Sequence, residues 1–264
     1  MDQALPLSVP APVPAIEIAG LSKRYGRDGK GTLALKDVDV TVGAREFVTL
    51  VGPSGCGKST LLKVISGIEP ATSGSVKRFG EVVTGPTPDI GMVFQSPVLM
   101  KWRTVLENVL FPIDALGLKR RDYIDKAEAL LKLAGLEAFT KSYPRELSGG
   151  MQQRAALCRA LIYDPPFLLM DEPFGALDAL TRDQMNVELM RIWSETQKAT
   201  LLITHSVAEA VFLADRVLVM SGRPGTVMAD IRIDLPRPRH TRVRTTPAFG
   251  EYVRSLSAML GVHD

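Results

Sequence analysis

Nine consecutive residues constrain this chain more than any others. Gly52-Pro53-Ser54-Gly55-Cys56-Gly57-Lys58-Ser59-Thr60 stands between a strand-forming stretch, Glu46 to Val51, and a helical pattern that opens at Leu61. A loop spelled G-x-x-x-x-G-K-S in strand-loop-helix context is a cradle for phosphate. Its glycines let the backbone wrap so that successive N–H groups aim at one anion, and the helix that follows adds the positive end of its dipole. Lys58 then offers a point charge to the β- and γ-phosphates, and Ser59 an oxygen to a magnesium ion. Cys56 reads as a small residue that fits the loop, without chemistry of its own. Such a loop demands a parallel sheet that delivers strand ends to one edge, so the chain is expected to be α/β.

The rest of the sequence agrees with that class. Strand patterns run from Ile16 to Tyr25, Asp37 to Val42, Glu46 to Val51, Gly74 to Glu81 and Ile90 to Gln95. Between Val105 and Ala134 the period turns helical, with Ile124, Ala127, Leu130 and Leu131 on one face and Gly135 as a C-cap. A second helix pattern, Gly149 to Ile162, completes a helical insert at roughly 100 to 160. Further on come the apolar strand Phe167 to Met170, a long helix Ala179 to Gln197, a buried strand Ala199 to His205, and a capping box in Ser206-Val-Ala-Glu209. Strands Arg216 to Met220 and Thr226 to Ile233 follow, then the basic, proline-broken segment PRPRHTRVR and a short helix near Tyr252 to Leu260. Residues 1 to 14, with four prolines and no lysine or arginine, read as a disordered lead.

Composition excludes several classes. The 264 residues are 45% hydrophobic, which suits a globular core, yet no apolar run approaches the roughly 20 residues that a membrane-spanning helix needs. A net charge of +3, evenly spread, gives nucleic acid no support. Cys56 and Cys158 lack metal or disulfide-framework spacing, which fits a reducing compartment.

Two further motifs bear on chemistry. Phe167-Leu-Leu-Met-Asp171-Glu172 delivers two carboxylates at a strand end, where ligands bind in open α/β sheets. Asp171 suits the metal through water, and Glu172 suits orienting or deprotonating an attacking water. Leu147-Ser148-Gly149-Gly150-Met151 opens a helix with a serine and two glycines, a second anion site in a chain that has one already. The economical explanation is that Ser148, Gly149 and Gly150 cap the γ-phosphate held by another copy, in a head-to-tail dimer with two shared sites.

With these motifs in order, the sequence resembles the nucleotide-binding subunit of an ATP-binding cassette (ABC) transporter over about residues 15 to 240. The resemblance implies a P-loop NTPase cassette: a RecA-like parallel-sheet core, an antiparallel β subdomain and an inserted α-helical signature subdomain, followed by a short helical tail at 241 to 264. It implies that ATP and Mg²⁺ bind, with Tyr25 stacking on adenine and Gly52 to Thr60 as the Walker A loop. Gln95 resembles the Q-loop glutamine, in contact with Mg²⁺ and water and linked to the transmembrane partner. LSGGM resembles the signature, Asp171 and Glu172 the Walker B aspartate and catalytic glutamate, Gly175-Ala-Leu-Asp178 the D-loop, and His205 the switch histidine at the γ-phosphate. A lone strand-end histidine also reads as a core residue and Tyr25 as packing; the family positions favour the functional readings. Met151 and Lys101 depart from the commoner glutamine and proline.

Within the family, MDEPFGALDALTR, MSGRPG and LPRPR resemble the nitrate, sulfonate and taurine importers. The chain ends about 25 residues after LPRPR, too short for the regulatory domain of sugar-importer relatives. This implies an ATPase on the cytoplasmic face of a bacterial inner membrane, as a homodimer with two permease subunits and, through them, a periplasmic or lipid-anchored solute-binding protein. A soluble ABC ATPase acting on nucleic acid or ribosomes is the alternative, to which the lack of a second cassette, coiled-coil insert or strongly basic face is opposed. Leu99, Met100, Trp102 and Val105 read either as internal core or as a socket for a permease helix. The basic segment Arg237 to Arg244 reads as a solvated surface, with contact to anionic lipid or nucleic acid as the other reading.

Overall fold

The computed structural model describes residues 13–26, 31–175 and 177–261; the proposed lead falls almost wholly outside them. Two sheets share the strands. The smaller is antiparallel, ordered β2-β1-β4-β5, from β1 (Ile16–Tyr25), β2 (Thr32–Val42), β4 (Ser73–Arg78) and β5 (Glu81–Val82). The larger is ordered β10-β9-β3-β8-β7-β6. It comprises β3 (Phe47–Val51), β6 (Ile90–Val93), β7 (Phe167–Asp171), β8 (Ala199–Ile203), β9 (Arg216–Met220) and β10 (Val227–Arg232). All its pairs are parallel except β10 with β9.

The expected single strand Gly74 to Glu81 is a hairpin instead. Phe79 and Gly80 sit at φ 48° and 86°, and two successive positive-φ residues make the tight turn whose twist matches antiparallel strands. The strand expected to reach Gln95 stops at Val93, leaving Phe94 and Gln95 exposed.

β3 and β8 are buried at every position, as strands covered on both faces must be. β3 lies between β8 and β9, and β8 between β3 and β7. The carboxyl ends of β3, β7 and β8 therefore open side by side on one edge, onto the helix α1 (Lys58–Ile65) that follows β3.

The helical pattern from Val105 to Ala134 is broken into α2 (Val105–Val109), α3 (Phe111–Ala115) and α4 (Ile124–Leu133), joined by α5 (Gly149–Leu161). These four enclose a core of their own that includes Val105, Ile113, Leu131, Ala155 and Cys158, and burial pushes the Cys158 thiol up to about 12. Asn108 is fully buried and satisfied: its amide accepts from Met100 N–H at 2.7 Å and donates to the carbonyls of Met100, Arg103 and Thr104. That clamp fixes the loop between Gln95 and α2.

After β7 come α6 (Ala179–Thr196), α7 (Val207–Leu213) and α8 (Pro247–Met259). α8 starts five residues before the expected Tyr252, because Thr246 caps it and Pro247 occupies its first turn. Phe249 and Leu256 join the core under α7.

The basic segment is a solvated surface only in part: His240 and Arg242 are exposed, but three of its arginines are tied to the core. Arg237 pairs with Asp215 at 2.8 Å and lies over the Trp193 ring, and Arg244 pairs with Asp183. Arg239 is buried and donates to the carbonyls of Val211, Phe212 and Ala214 at 3.1, 3.2 and 2.6 Å, and to those of Ile233 and Leu235. Burial pulls its pKa down to about 10, which leaves it charged at neutral pH. Arg239 thus satisfies the carbonyls that α7 leaves unpaired at its end. Arg239→Met is expected to lower stability by about 3 kcal/mol, since several buried acceptors lose their donor, and lysine should restore little because it lacks the planar fork. Urea unfolding of both variants measures this.

Candidate active site

Lys58 opens α1 immediately after Gly57, which sits at φ 112° and caps the helix without a side chain. A Cβ on Gly57 would lie 2.8 Å from the Ala34 carbonyl oxygen, so the loop is pressed against β2 and only glycine fits. The Lys58 ammonium is buried and donates to the carbonyls of Gly52 and Pro53 at 2.8 and 3.0 Å, which folds it across the loop. Cys56 is buried in the core beneath the loop, with its Sγ 3.9 Å from the Lys58 ammonium.

Ser54, Gly55, Gly57, Lys58, Ser59 and Thr60 line a cleft of about 240 Å³, together with Glu172 and Arg223. Hydroxyls, an ammonium, a guanidinium and a helix N-terminus make it a container for phosphate, and it is too small and polar for an aromatic base as well.

β7 delivers the acids. Asp171 accepts a 3.4 Å hydrogen bond from Ser59 Oγ, and its carboxyl is held above the usual range, chiefly by burial and further by neighbouring Glu172, against the hydrogen bond from Ser59. Glu172 sits at φ 44°, a left-handed backbone that costs a glutamate on the order of 1 kcal/mol. Its N–H is anchored on the Ile203 carbonyl at 2.9 Å, and its carboxylate lies 3.3 Å from His205 Nδ1. The same carboxylate and the Gln95 amide nitrogen both come within 3.5 Å of the point where a Cβ on Gly175 would stand. Gln95 and His205 therefore both lie in the neighbourhood of Glu172, which lines the cleft. Among the described residues no group of three His, Cys, Asp or Glu side chains converges on a metal site. Ser59 and Asp171 alone fit Mg²⁺, which takes one or two protein oxygens and completes its shell from substrate phosphates and water.

The Ser206 capping box forms by half. Ser206 Oγ accepts from Glu209 N–H at 3.3 Å, but Ser206 N–H donates to Thr204 Oγ1 at 3.0 Å instead of to Glu209. The Glu209 carboxyl is buried next to Thr204, and its pKa is raised by that burial.

Of the predicted loop, Gly52, Pro53 and Cys56 do not line the cleft, and two further predicted groups lie elsewhere. Tyr25 pairs with Thr32 at the end of the β1–β2 hairpin, under the Lys23 ammonium at 5.0 Å; the hairpin abuts the cradle but Tyr25 is not in the cleft wall. Ser148 caps α5 by accepting from Met151 N–H at 3.3 Å, and Gly150 packs so tightly on Thr181 that a Cβ would lie 2.9 Å from its methyl. Ser148, Gly149 and Gly150 stay outside this chain's own cleft.

The family profile described as "ABC transporter" matches residues 35–175. The chain belongs to the ABC transporter family. Membership makes it an ATP-binding, ATP-hydrolysing chain. It is 43% identical over 251 residues to the nitrate import ATP-binding protein NrtD of Synechocystis, covering 93% of this chain and 94% of that one. It is 44% identical over 242 residues to the taurine import ATP-binding protein TauB of Rhizobium johnstonii (90% and 91% covered). With the aliphatic sulfonates import ATP-binding protein SsuB of Bacillus cereus it shares 40% over 236 residues (89% and 92%). The fold matches the dimeric post-hydrolysis structure of the ATP-binding cassette MJ0796 with ADP and Pi, with a TM-score of 0.70, 31% identity, and 84% and 100% of the two chains covered. The predicted family, the α/β cassette fold and the ATPase class are thereby borne out.

Sequence reasoning missed Arg223 in the cleft wall, where MSGRPG had served only as a family marker. It also missed Arg182, which donates to the carbonyls of Phe174 and Leu177 at 3.3 and 2.9 Å and fixes the turn after Glu172.

Proposed function

We propose that this ABC ATPase energises a bacterial importer of nitrate, taurine, a sulfonate or a related small solute, from the cytoplasmic face of the membrane. The observation that supports the ATPase mechanism is one phosphate-sized cleft lined by Lys58, Ser59 and Glu172, with Asp171 hydrogen-bonded to Ser59 and His205 beside Glu172. The importer reading rests on the names of the relatives. No helix among the described residues is long and apolar enough to cross a membrane.

The loop amides and Lys58 bind the triphosphate, and Ser59 and Asp171 would hold the metal. When bound, Mg²⁺ neutralises charge on the β- and γ-phosphate oxygens. Glu172 orients a water in line with the terminal phosphorus and accepts its proton as the bond to ADP breaks. His205 lies against Glu172 and donates a ring N–H to the γ-phosphate, while Gln95 completes the water site. Tyr25 stacks on the adenine outside the cleft. Ser148, Gly149 and Gly150 of a second copy cap the γ-phosphate, so the working unit is a homodimer. Closure of that dimer moves two permease subunits, which receive solute from a periplasmic or lipid-anchored binding protein.

The permease seat differs from the expected cluster. Val105 is fully buried in the helical core and Leu99 packs against that core, whereas Trp102 is 75% exposed. The groove that does open beside Gln95, about 560 Å³, is walled by Met92, Phe94, Val98, Met100, Phe111 and Leu116. Its apolar, methionine-containing lining suits a short helix laid into it. Met100→Glu is expected to abolish co-purification with the permease while the isolated chain keeps its ATPase rate within about twofold, because a buried unpaired carboxylate costs the interface several kcal/mol. Co-expression with a candidate permease and pull-down tests this; recovery of the wild-type chain with ribosomes or DNA alone would overturn the importer reading.

A further inference from the structure

The mechanism above leaves one charged side chain of the phosphate cleft without a task. Arg223 belongs to the loop Ser221 to Thr226, which closes β9 and is held from several sides. Ser221 N–H donates to the Thr226 carbonyl and Thr226 N–H to Ser221 Oγ, both at 2.9 Å. Gly225 N–H donates to the Ala34 carbonyl at 2.9 Å, and its own carbonyl accepts from Lys36 N–H at 3.0 Å. A Cβ on Gly225 would lie 2.1 Å from the Cys56 carbonyl oxygen, so the loop is pressed onto the underside of the cradle at a point where only glycine fits. Two residues earlier, Arg223 is carried on this fixed base to the cleft wall that it shares with Lys58 and Glu172.

Its guanidinium is uncommitted. Among the described residues Arg223 makes no hydrogen bond or ion pair, although Glu172 stands in the same cleft, engaged with His205. Most other arginines of the C-terminal third, including Arg216, Arg237, Arg239 and Arg244, are tied to carboxylates or carbonyls. Lys58, the cleft's other cation, is already folded onto two loop carbonyls. A planar five-donor fork matches phosphate oxygens better than an ammonium does. Glu172 marks the end of the cleft where the terminal phosphate must sit.

We propose that Arg223 is a second cationic contact to the terminal phosphate of bound ATP, made within the same chain by the loop that closes β9. It is a nucleotide-binding residue that discriminates the triphosphate from the diphosphate. The proposal rests on the ATPase reading above, and its test separates the two. Full-length wild type, Arg223→Ala, Arg223→Lys and Lys58→Ala are titrated calorimetrically with the β,γ-imido analogue of ATP and, separately, with ADP, each with Mg²⁺. Arg223→Ala is expected to lose about tenfold in affinity for the ATP analogue and less than twofold for ADP. Arg223→Lys should recover part of the loss. Equal losses for both nucleotides would mean that the loop merely supports the cradle, and unchanged affinity for the analogue would mean no contact; either overturns the proposal. If Lys58→Ala fails to bind while Arg223→Ala binds as wild type, only the role of Arg223 falls. If wild type binds neither nucleotide, the ATPase reading falls and this one with it.

Discussion

Glu172→Gln is expected to lower the rate of ATP hydrolysis by at least about 10²-fold while leaving ATP affinity within about threefold, because loss of a positioned base costs on the order of 10²–10⁴ in rate. Glutamine keeps the shape, the left-handed backbone seen at φ 44°, and a polar contact to His205, whose ring nitrogen lies 3.3 Å from the carboxylate. It removes the proton acceptor alone. If a second copy closes over the nucleotide, the variant should accumulate as an ATP-dependent dimer on size exclusion, because closure is reached and hydrolysis no longer releases it. Phosphate release and elution volume read the two effects separately. A variant that hydrolyses ATP at the wild-type rate would remove Glu172 from the chemistry. One that stays monomeric with ATP but is inactive would leave the base in place and remove the dimer.

Local chemistry was legible in the sequence where the fold adds little to it. The loop from Gly52 to Thr60 needs only a strand before it and a helix after it, and the strand ending in Asp171 and Glu172 carries its own apolar signature. That these two strand ends open together depends on β8 lying between β3 and β7, an order the motifs imply only through the resemblance. Other features depended on distant partners. The β4–β5 hairpin was hidden because Phe79, a poor turn residue by propensity, takes the positive φ. Arg239 looked solvated in a basic run because its partners are main-chain carbonyls as far back as Val211, and carbonyls carry no sequence signal. The split of the cluster after Gln95, with Val105 inward and Met100 on the groove, is decided by the buried Asn108 clamp. Arg223 is drawn to the cleft by the Gly225 contact with Cys56, more than 160 residues away along the chain.

Lys58→Ala should have the larger effect on binding: ATP affinity is expected to fall by at least about 10²-fold and hydrolysis to become undetectable, since a charge-assisted contact in a partly desolvated cleft contributes about 3 kcal/mol. The ammonium has two tasks that the geometry lets one separate. It donates to the Gly52 and Pro53 carbonyls, which braces the loop, and it supplies charge to the β- and γ-phosphates. Truncation removes both, yet it also frees a buried cation from the cost of desolvation, so stability should change by no more than about 1 kcal/mol. Urea unfolding then shows whether the variant is folded, and nucleotide titration shows what the charge contributed. Lys58→Gln, which keeps a neutral N–H donor for the loop carbonyls but not the charge, should bind ATP as poorly as alanine if charge is decisive, and better if bracing is. A folded Lys58→Ala chain that holds ATP with wild-type affinity would mean that the loop amides and the helix N-terminus suffice, and that the ammonium serves the loop alone.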